Sequence, residues 1–139
     1  MLLGEYNYVI DEKGRLNFPA KFREDMGPNF TVTRWLDDCL VAFPEKKWEA
    51  VAEKLSERSM VKSRNIQRFL YAGAMQAEPD KQGRILLTTQ LREHAGLTKD
   101  VTIIGVGDHG EIWNTDAWRA MQKNMSSEAI EDAMAELEF

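Results

Sequence analysis

Asp11-Glu12-Lys13-Gly14-Arg15 returns 69 residues later as Asp80-Lys81-Gln82-Gly83-Arg84. The register continues beyond the motif: Arg23-Glu24 matches Arg92-Glu93, Gly27 matches Gly96, and Val32-Thr33 matches Val101-Thr102. With Asp, Gly and Arg of the motif itself, these make 8 identities over residues 11–33. Leu16/Ile85 and Phe22/Leu91 are conservative besides. A chain that carries one unit twice is expected to fold around an internal pseudo-twofold axis. Each unit spans only about 40 residues, too few to bury a sufficient core alone. The two copies must therefore pack on each other.

The motif itself has a physical reading. Asp in first place accepts hydrogen bonds from backbone N–H groups ahead of it, and Gly supplies a positive φ, as a type I turn with a following bulge requires. Asp11, Gly14, Asp80 and Gly83 are accordingly the turn-forming residues. Tyr6, Tyr8 and Ile10 alternate before the first turn and Leu16 and Phe18 after it, which predicts two strands paired as a hairpin. A brief helix follows each hairpin, Pro19 to about Met26 and Thr88 to about Ala95, stopped by Gly27 and Gly96. Strand pairs come next, Phe30–Thr33 with Leu40–Phe43 and Val101–Val106 with Gly110–Trp113.

Between the repeats the spacing predicts two helices. One starts near Glu45 with Trp48, Val51, Ala52 and Leu55 on a face. The other is capped by Ser63, carries Ile66, Phe69 and Leu70, and stops at Gly73. Asn114 or Thr115 caps a further helix with Trp118, Met121 and Met125. Trp48 and Trp118 are read as core residues. After Ser126-Ser127, Ile130, Ala133, Met134 and Leu137 share one face of a last amphipathic segment, which docks either on its own domain or on a neighbouring subunit. The expected organisation is a first repeat over 5–48, a helical connector over 49–73, a second repeat over 74–118 and a helical tail over 119–139.

Charge narrows the function classes. The net charge of −5 argues at first sight against a nucleic-acid partner, but the distribution is uneven. Residues 13–23 carry Lys13, Arg15, Lys21 and Arg23 with no acidic residue among them, and residues 58–68 carry Arg58, Lys62, Arg64 and Arg68 likewise. The acidic excess collects in the tail, at Glu128, Glu131, Asp132, Glu136 and Glu138. No run approaches the roughly 18 apolar residues of a membrane span, no signal peptide is visible at Met1–Glu5, and one cysteine, Cys39, fits a reducing compartment. Neither histidine, His94 or His109, has a second ligand at metal spacing. Asp37-Asp38 reads as an exposed turn, and no nucleophile, base and orienting group come together. An enzyme would need a pocket uniting Asp37, Cys39 and His109, which nothing in the sequence predicts. No catalytic residue, metal site or cofactor is expected.

Gly4-Glu5-Tyr6, then Asp11 to Leu16, then Pro19-Ala20-Lys21-Phe22-Arg23-Glu24, resembles the opening of the MraZ family. Asp80 to Leu86, and Val101 to Trp113 with Gly105-Val106-Gly107 and Glu111-Ile112-Trp113, resembles the second MraZ repeat. The likeness covers roughly residues 1–120. It implies an α+β fold of the wider AbrB-like (SpoVT/AbrB) group: two tandem hairpin/short-helix repeats interlocked in a swapped, pseudo-twofold β-barrel, with flanking helices. It further implies a cytoplasmic, nucleoid-associated transcriptional regulator of the bacterial division and cell-wall gene cluster. Such a regulator binds double-stranded DNA repeats upstream of its own operon as a ring-shaped homo-oligomer, without a membrane or small-molecule partner.

The second copy departs from the pattern. Pro79 precedes Asp80 and belongs at an edge or strand end, Thr88 stands in the place of Pro19, and Gln90 replaces Lys21. On this reading Lys13, Arg15, Lys21 and Arg23 face DNA, with Lys81 and Arg84 as the second copy's contribution. Arg15 is the residue expected to reach a guanine edge, with Arg84 in the matching role. The alternative is an antitoxin-like protein-interaction module of the same fold, with residues 126–139 as the segment that folds on a partner.

Overall fold

The structure is a computed structural model and describes residues 1–57 and 59–139; Arg58 of the second basic run lies outside the described residues. The fold is α+β. Its strands are β1 (Glu5–Val9), β2 (Arg15–Asn17), β3 (Phe30–Arg34), β4 (Leu40–Pro44), β5 (Met75–Ala77), β6 (Arg84–Leu86), β7 (Asp100–Gly105) and β8 (Gly110–Asn114). Its helices are α1 (Ala20–Met26), α2 (Glu45–Ser56), α3 (Met60–Gly73), α4 (Thr89–Ala95), α5 (Thr115–Asn124) and α6 (Ser127–Glu136).

Both Asp-x-x-Gly turns form as the sequence predicts. Gly14 takes φ +91 and Gly83 φ +78. Each turn is closed by one rung, Asp11 N–H to the Arg15 carbonyl (3.1 Å) and Asp80 N–H to the Arg84 carbonyl (2.8 Å). Beyond that rung the expected local hairpins do not continue. β1 leaves the turn to pair antiparallel with β7, while β2 pairs antiparallel with β6 of the other repeat. The reason lies in the size of the unit. A hairpin of one repeat has no second layer of its own, whereas β2 and β6 together press Leu16 and Ile85, both at most 1% exposed, into a shared core.

The larger sheet runs β1-β7-β8-β4-β3-β5, and β2-β6 is a separate two-stranded ribbon. The six-stranded ladder runs from β1 at one end to β5 at the other. β4 meets β8 at its middle, which puts the pseudo-twofold between the two repeats' equivalent strands. The expected pairs β3–β4 and β7–β8 are present in register; β5, on β3, was not expected from the sequence. Pro79 lies beyond the end of β5, where its missing N–H costs no ladder bond.

Residues Leu40, Val41, Ala42 and Phe43 are all buried, since β4 is covered on both faces. One face holds the main core, with Phe18, Phe22, Phe30, Leu40, Ala42, Leu91 and Ile112 around the ribbon, α1 and α4. On the other face lie α2, α3 and α5. There Trp48 stacks on Phe43 (6.0 Å between ring centroids) and the Trp118 ring centroid lies 5.3 Å from that of Trp113. Both tryptophans are half-buried rather than enclosed; the Trp118 indole N–H donates to Glu5 (2.6 Å).

Helix ends follow local chemistry. Thr88, Asn114 and Ser126 accept from the N–H groups of Leu91, Ala117 and Ala129. Ser63 does not cap. α3 begins three residues earlier, and the Ser63 hydroxyl, buried, donates back to the Ser59 carbonyl (3.1 Å). Gly73 is the last residue of α3 without a positive φ, and its missing side chain instead makes room for Arg34, whose Nε would lie 2.7 Å from a Cβ there.

Candidate nucleic-acid interface

Alternation along β2 and β6 sorts their side chains. Leu16 and Ile85 face the core, so Arg15 and Asn17 of one strand and Arg84 and Leu86 of the other share the outward face of the ribbon. Arg15 stands opposite Leu86 and Asn17 opposite Arg84. The two arginines are thus diagonal neighbours, about 7–8 Å apart at the backbone, which spans about two base-pair steps of 3.4 Å.

Each arginine is oriented by its own turn. The Arg15 Nε donates to Asp11 Oδ2 (2.6 Å), and the Arg15 and Lys13 backbone N–H groups donate to Asp11 Oδ1 (2.8 and 3.0 Å). The second copy repeats this, with Arg84 Nε on Asp80 Oδ2 (3.0 Å) and the Arg84 and Gln82 N–H groups on Asp80 Oδ1 (2.9 Å each). Backbone N–H donation from Arg15, followed by that residue's side chain, holds the Asp11 carboxyl below the usual carboxylate range; Arg84 does the same for Asp80. Among the described residues the terminal amino groups of neither guanidinium meet a protein acceptor. Each arginine is therefore tied to its own turn, and the tie leaves the outer edge of each fork free. It also neutralises each arginine locally, which favours directional hydrogen bonding over bulk charge attraction.

The other expected residues divide. Lys13 and Lys81 stand exposed on the two turns, and Lys21 is exposed in the first turn of α1. Arg23 behaves differently. It is half-buried and lies over the other repeat's turn, where a Cβ on Gly83 would come within 2.8 Å of its Cζ. Arg92, its register equivalent, covers Gly14 in the same way, with its Nε 2.8 Å from the position of a Cβ. The exchange is completed by backbone: Phe18 N–H donates to the Gly83 carbonyl (3.0 Å) and Leu87 N–H to the Gly14 carbonyl (2.9 Å). Both glycines are therefore needed twice over, for a positive φ and for the close approach of an arginine from the opposite repeat.

Sequence reasoning did not assign Asn17, Leu86 or Arg92 to this surface, although it matched Arg92 to Arg23. The first two could have been found from strand alternation about Leu16 and Ile85, the third from its match with Arg23. Cys39 is fully buried, and burial foremost, with the Glu111 and Asp37 charges behind it, pushes its thiol far up. The cleft beside His109 is lined by Asp108, Lys47 and aromatic rings rather than by Asp37 and Cys39.

Among the described residues no helix is long and apolar enough to cross a membrane. Comparison with known proteins fits the duplication. The family described as "MraZ protein, putative antitoxin-like" matches twice, over residues 1–69 and 70–138. The chain is 43% identical over 141 residues to the transcriptional regulator MraZ of Caldicellulosiruptor bescii, covering 99% of each chain. It is 43% identical over 129 residues to that of Syntrophomonas wolfei, covering 91% of this chain and 90% of the relative. With that of Heliobacterium modesticaldum it shares 48% identity over 120 residues, 85% of this chain and 84% of the relative. The two matched halves meet between the same copies that exchange β2 and β6, and the chain belongs to the MraZ family.

Proposed function

We propose that this protein is a sequence-specific DNA-binding transcriptional regulator. Its targets are repeats upstream of its own operon, in the bacterial division and cell-wall gene cluster, and it binds them as a ring-shaped homo-oligomer in the nucleoid. The single observation that carries the DNA reading is the diagonal placement of Arg15 and Arg84 on the outward face of the β2–β6 ribbon, each with its fork end free. A two-stranded ribbon fits a B-form major groove about 12 Å wide. Arg15 and Arg84 donate to guanine O6 and N7 on either side of the pseudo-twofold, while Lys13, Lys81 and Lys21 neutralise phosphates and fix register. Arg23 serves the same surface by covering the turn that aims Arg84.

In this reading residues 5–48 and 74–118 are the reading units of one swapped-hairpin barrel, 49–73 connects them, and 119–139 is a tail. One ribbon presents few charges on a chain of net charge −5, so a single subunit binds weakly and a ring engaging several repeats binds tightly through effective concentration.

Fluorescence anisotropy against labelled duplex from upstream of the gene, at several salt concentrations, tests this. Wild type should bind saturably and lose affinity as salt rises. Arg15→Ala should weaken binding by about 1–3 kcal/mol without unfolding the protein. A correctly folded oligomer that fails to bind at low salt would overturn the reading in favour of the protein-interaction alternative.

A further inference from the structure

α6 buries none of its residues. Ile130, Met134 and Leu137 form one apolar stripe at 45%, 44% and 72% exposure, with Glu131 on one flank and Glu136 on the other. The helix carries Glu128, Glu131, Asp132 and Glu136 and no basic residue. Elsewhere in the molecule α2 and α3 diverge to leave a groove of about 550 Å³, whose walls are Trp35, Leu36, Val51, Leu55, Ile66 and Phe69. Leu36 and Ile66 stay 65% and 49% exposed there.

Charge on this groove is opposite to that of α6. Lys54 of α2 lines it. Lys62 precedes Ile66 by four residues and Phe69 by seven, and so stands on the same face of α3. α3 itself holds Lys62, Arg64 and Arg68 and no acidic residue. Among the described residues none of Lys54, Lys62, Arg64 and Arg68 has a carboxylate partner. An amphipathic helix with an acidic rim and an apolar groove with a basic rim are complementary in shape class and in sign.

We propose that the occupant of the α2/α3 groove is α6 of a second copy of this chain, laid in by its Ile130–Met134–Leu137 stripe with Glu131 and Glu136 toward the lysines. Geometry favours another copy over the same chain. Only Met125 and Ser126 join α5 to α6, about 7 Å at full stretch, and α5 packs over β7 and β8. The groove lies over β3, which α3 contacts through Thr33 and Arg34. In the sheet order β7 and β3 are three strand spacings apart, about 14 Å. Donating one surface and receiving on another is a head-to-tail contact, which propagates until a ring closes. The inference rests on the homo-oligomer reading above and names its interface.

Full-length Ile66→Glu and Ile130→Glu should each sediment as monomers under conditions where wild type assembles. Mixed one to one, they should form a discrete dimer, since one intact helix still meets one intact groove. Lys54→Glu with Lys62→Glu, at exposed rim positions, provides a second probe if Ile66→Glu misfolds; about tenfold weaker assembly is expected. Persistence of wild-type assembly in both glutamate variants would overturn this interface while leaving the homo-oligomer standing. Variants that fail to complement on mixing would likewise overturn this interface alone, whereas a wild type that stays monomeric, with α6 protected from hydrogen exchange, would overturn both. Arg15→Ala should assemble normally, which separates this inference from the DNA reading.

Discussion

At the scale of single residues, the strongest constraints sit where one repeat touches the turn of the other. Gly14→Ala adds a Cβ 2.8 Å from Arg92 Nε and 2.9 Å from the Leu87 carbonyl, at φ +91. Gly27→Ala meets open space at φ +80. The first should therefore cost about 1–3 kcal/mol and exceed the second in urea denaturation; equal losses would show that only backbone conformation matters. Acid stability is set in part by Asp11 and Asp80. Their folded pKa values lie below the ordinary carboxylate value, so their contribution is complete above about pH 4 and is lost as pH falls further. Asp11→Asn with Asp80→Asn should lower stability at pH 7 and flatten its fall below about pH 4. Flattening will be partial, because Asp108, hydrogen-bonded to His109 and then Lys47, is held low as well. Cys39, buried and with its thiol pushed up, should resist thiol reagents until the protein unfolds.

Among elements, the β2–β6 ribbon separates stability from recognition by alternation alone. Leu16 and Ile85 point inward, and truncating either to Ala should cost about 2–5 kcal/mol in thermal or chemical unfolding. Arg15 and Arg84, one residue away on each strand, should show the converse: little change in unfolding and a large change in DNA affinity. Asn17 and Leu86 occupy equivalent places about the pseudo-twofold, so that axis is exact for the arginines and broken between them. In the sequence the short helices were legible because each has a proline or threonine at its start and glycine at its stop. Ser63 misled because a serine four residues into a helix can bond back to a carbonyl as readily as cap. β5 is only three residues long and carries too little alternation to declare itself.

For the molecule as a whole, the repeats are chemically separate and structurally inseparable. β1 pairs with β7, β2 with β6, β3 with β5 and β4 with β8, all across the boundary between residues 69 and 70. Fragments 1–69 and 70–138 should each be unfolded alone by circular dichroism and regain structure when mixed; an independently folded fragment would contradict the shared core.

Duplication, turn chemistry, positive φ at Gly14 and Gly83, and the positions of most helices and strand pairs follow from the sequence itself. These depend on local backbone preferences and side-chain period, which act over a few residues. Which strands pair did not follow. The alternation that predicts a strand at Arg15–Asn17 is satisfied equally by β1 and by β6 as partner, and only burial of Leu16 against Ile85 in a core assembled from both repeats selects β6. The same assembly decided that Arg23 and Arg92 lie over opposite turns while Arg15 and Arg84 face outward, because charge in a sequence carries no direction until packing supplies one.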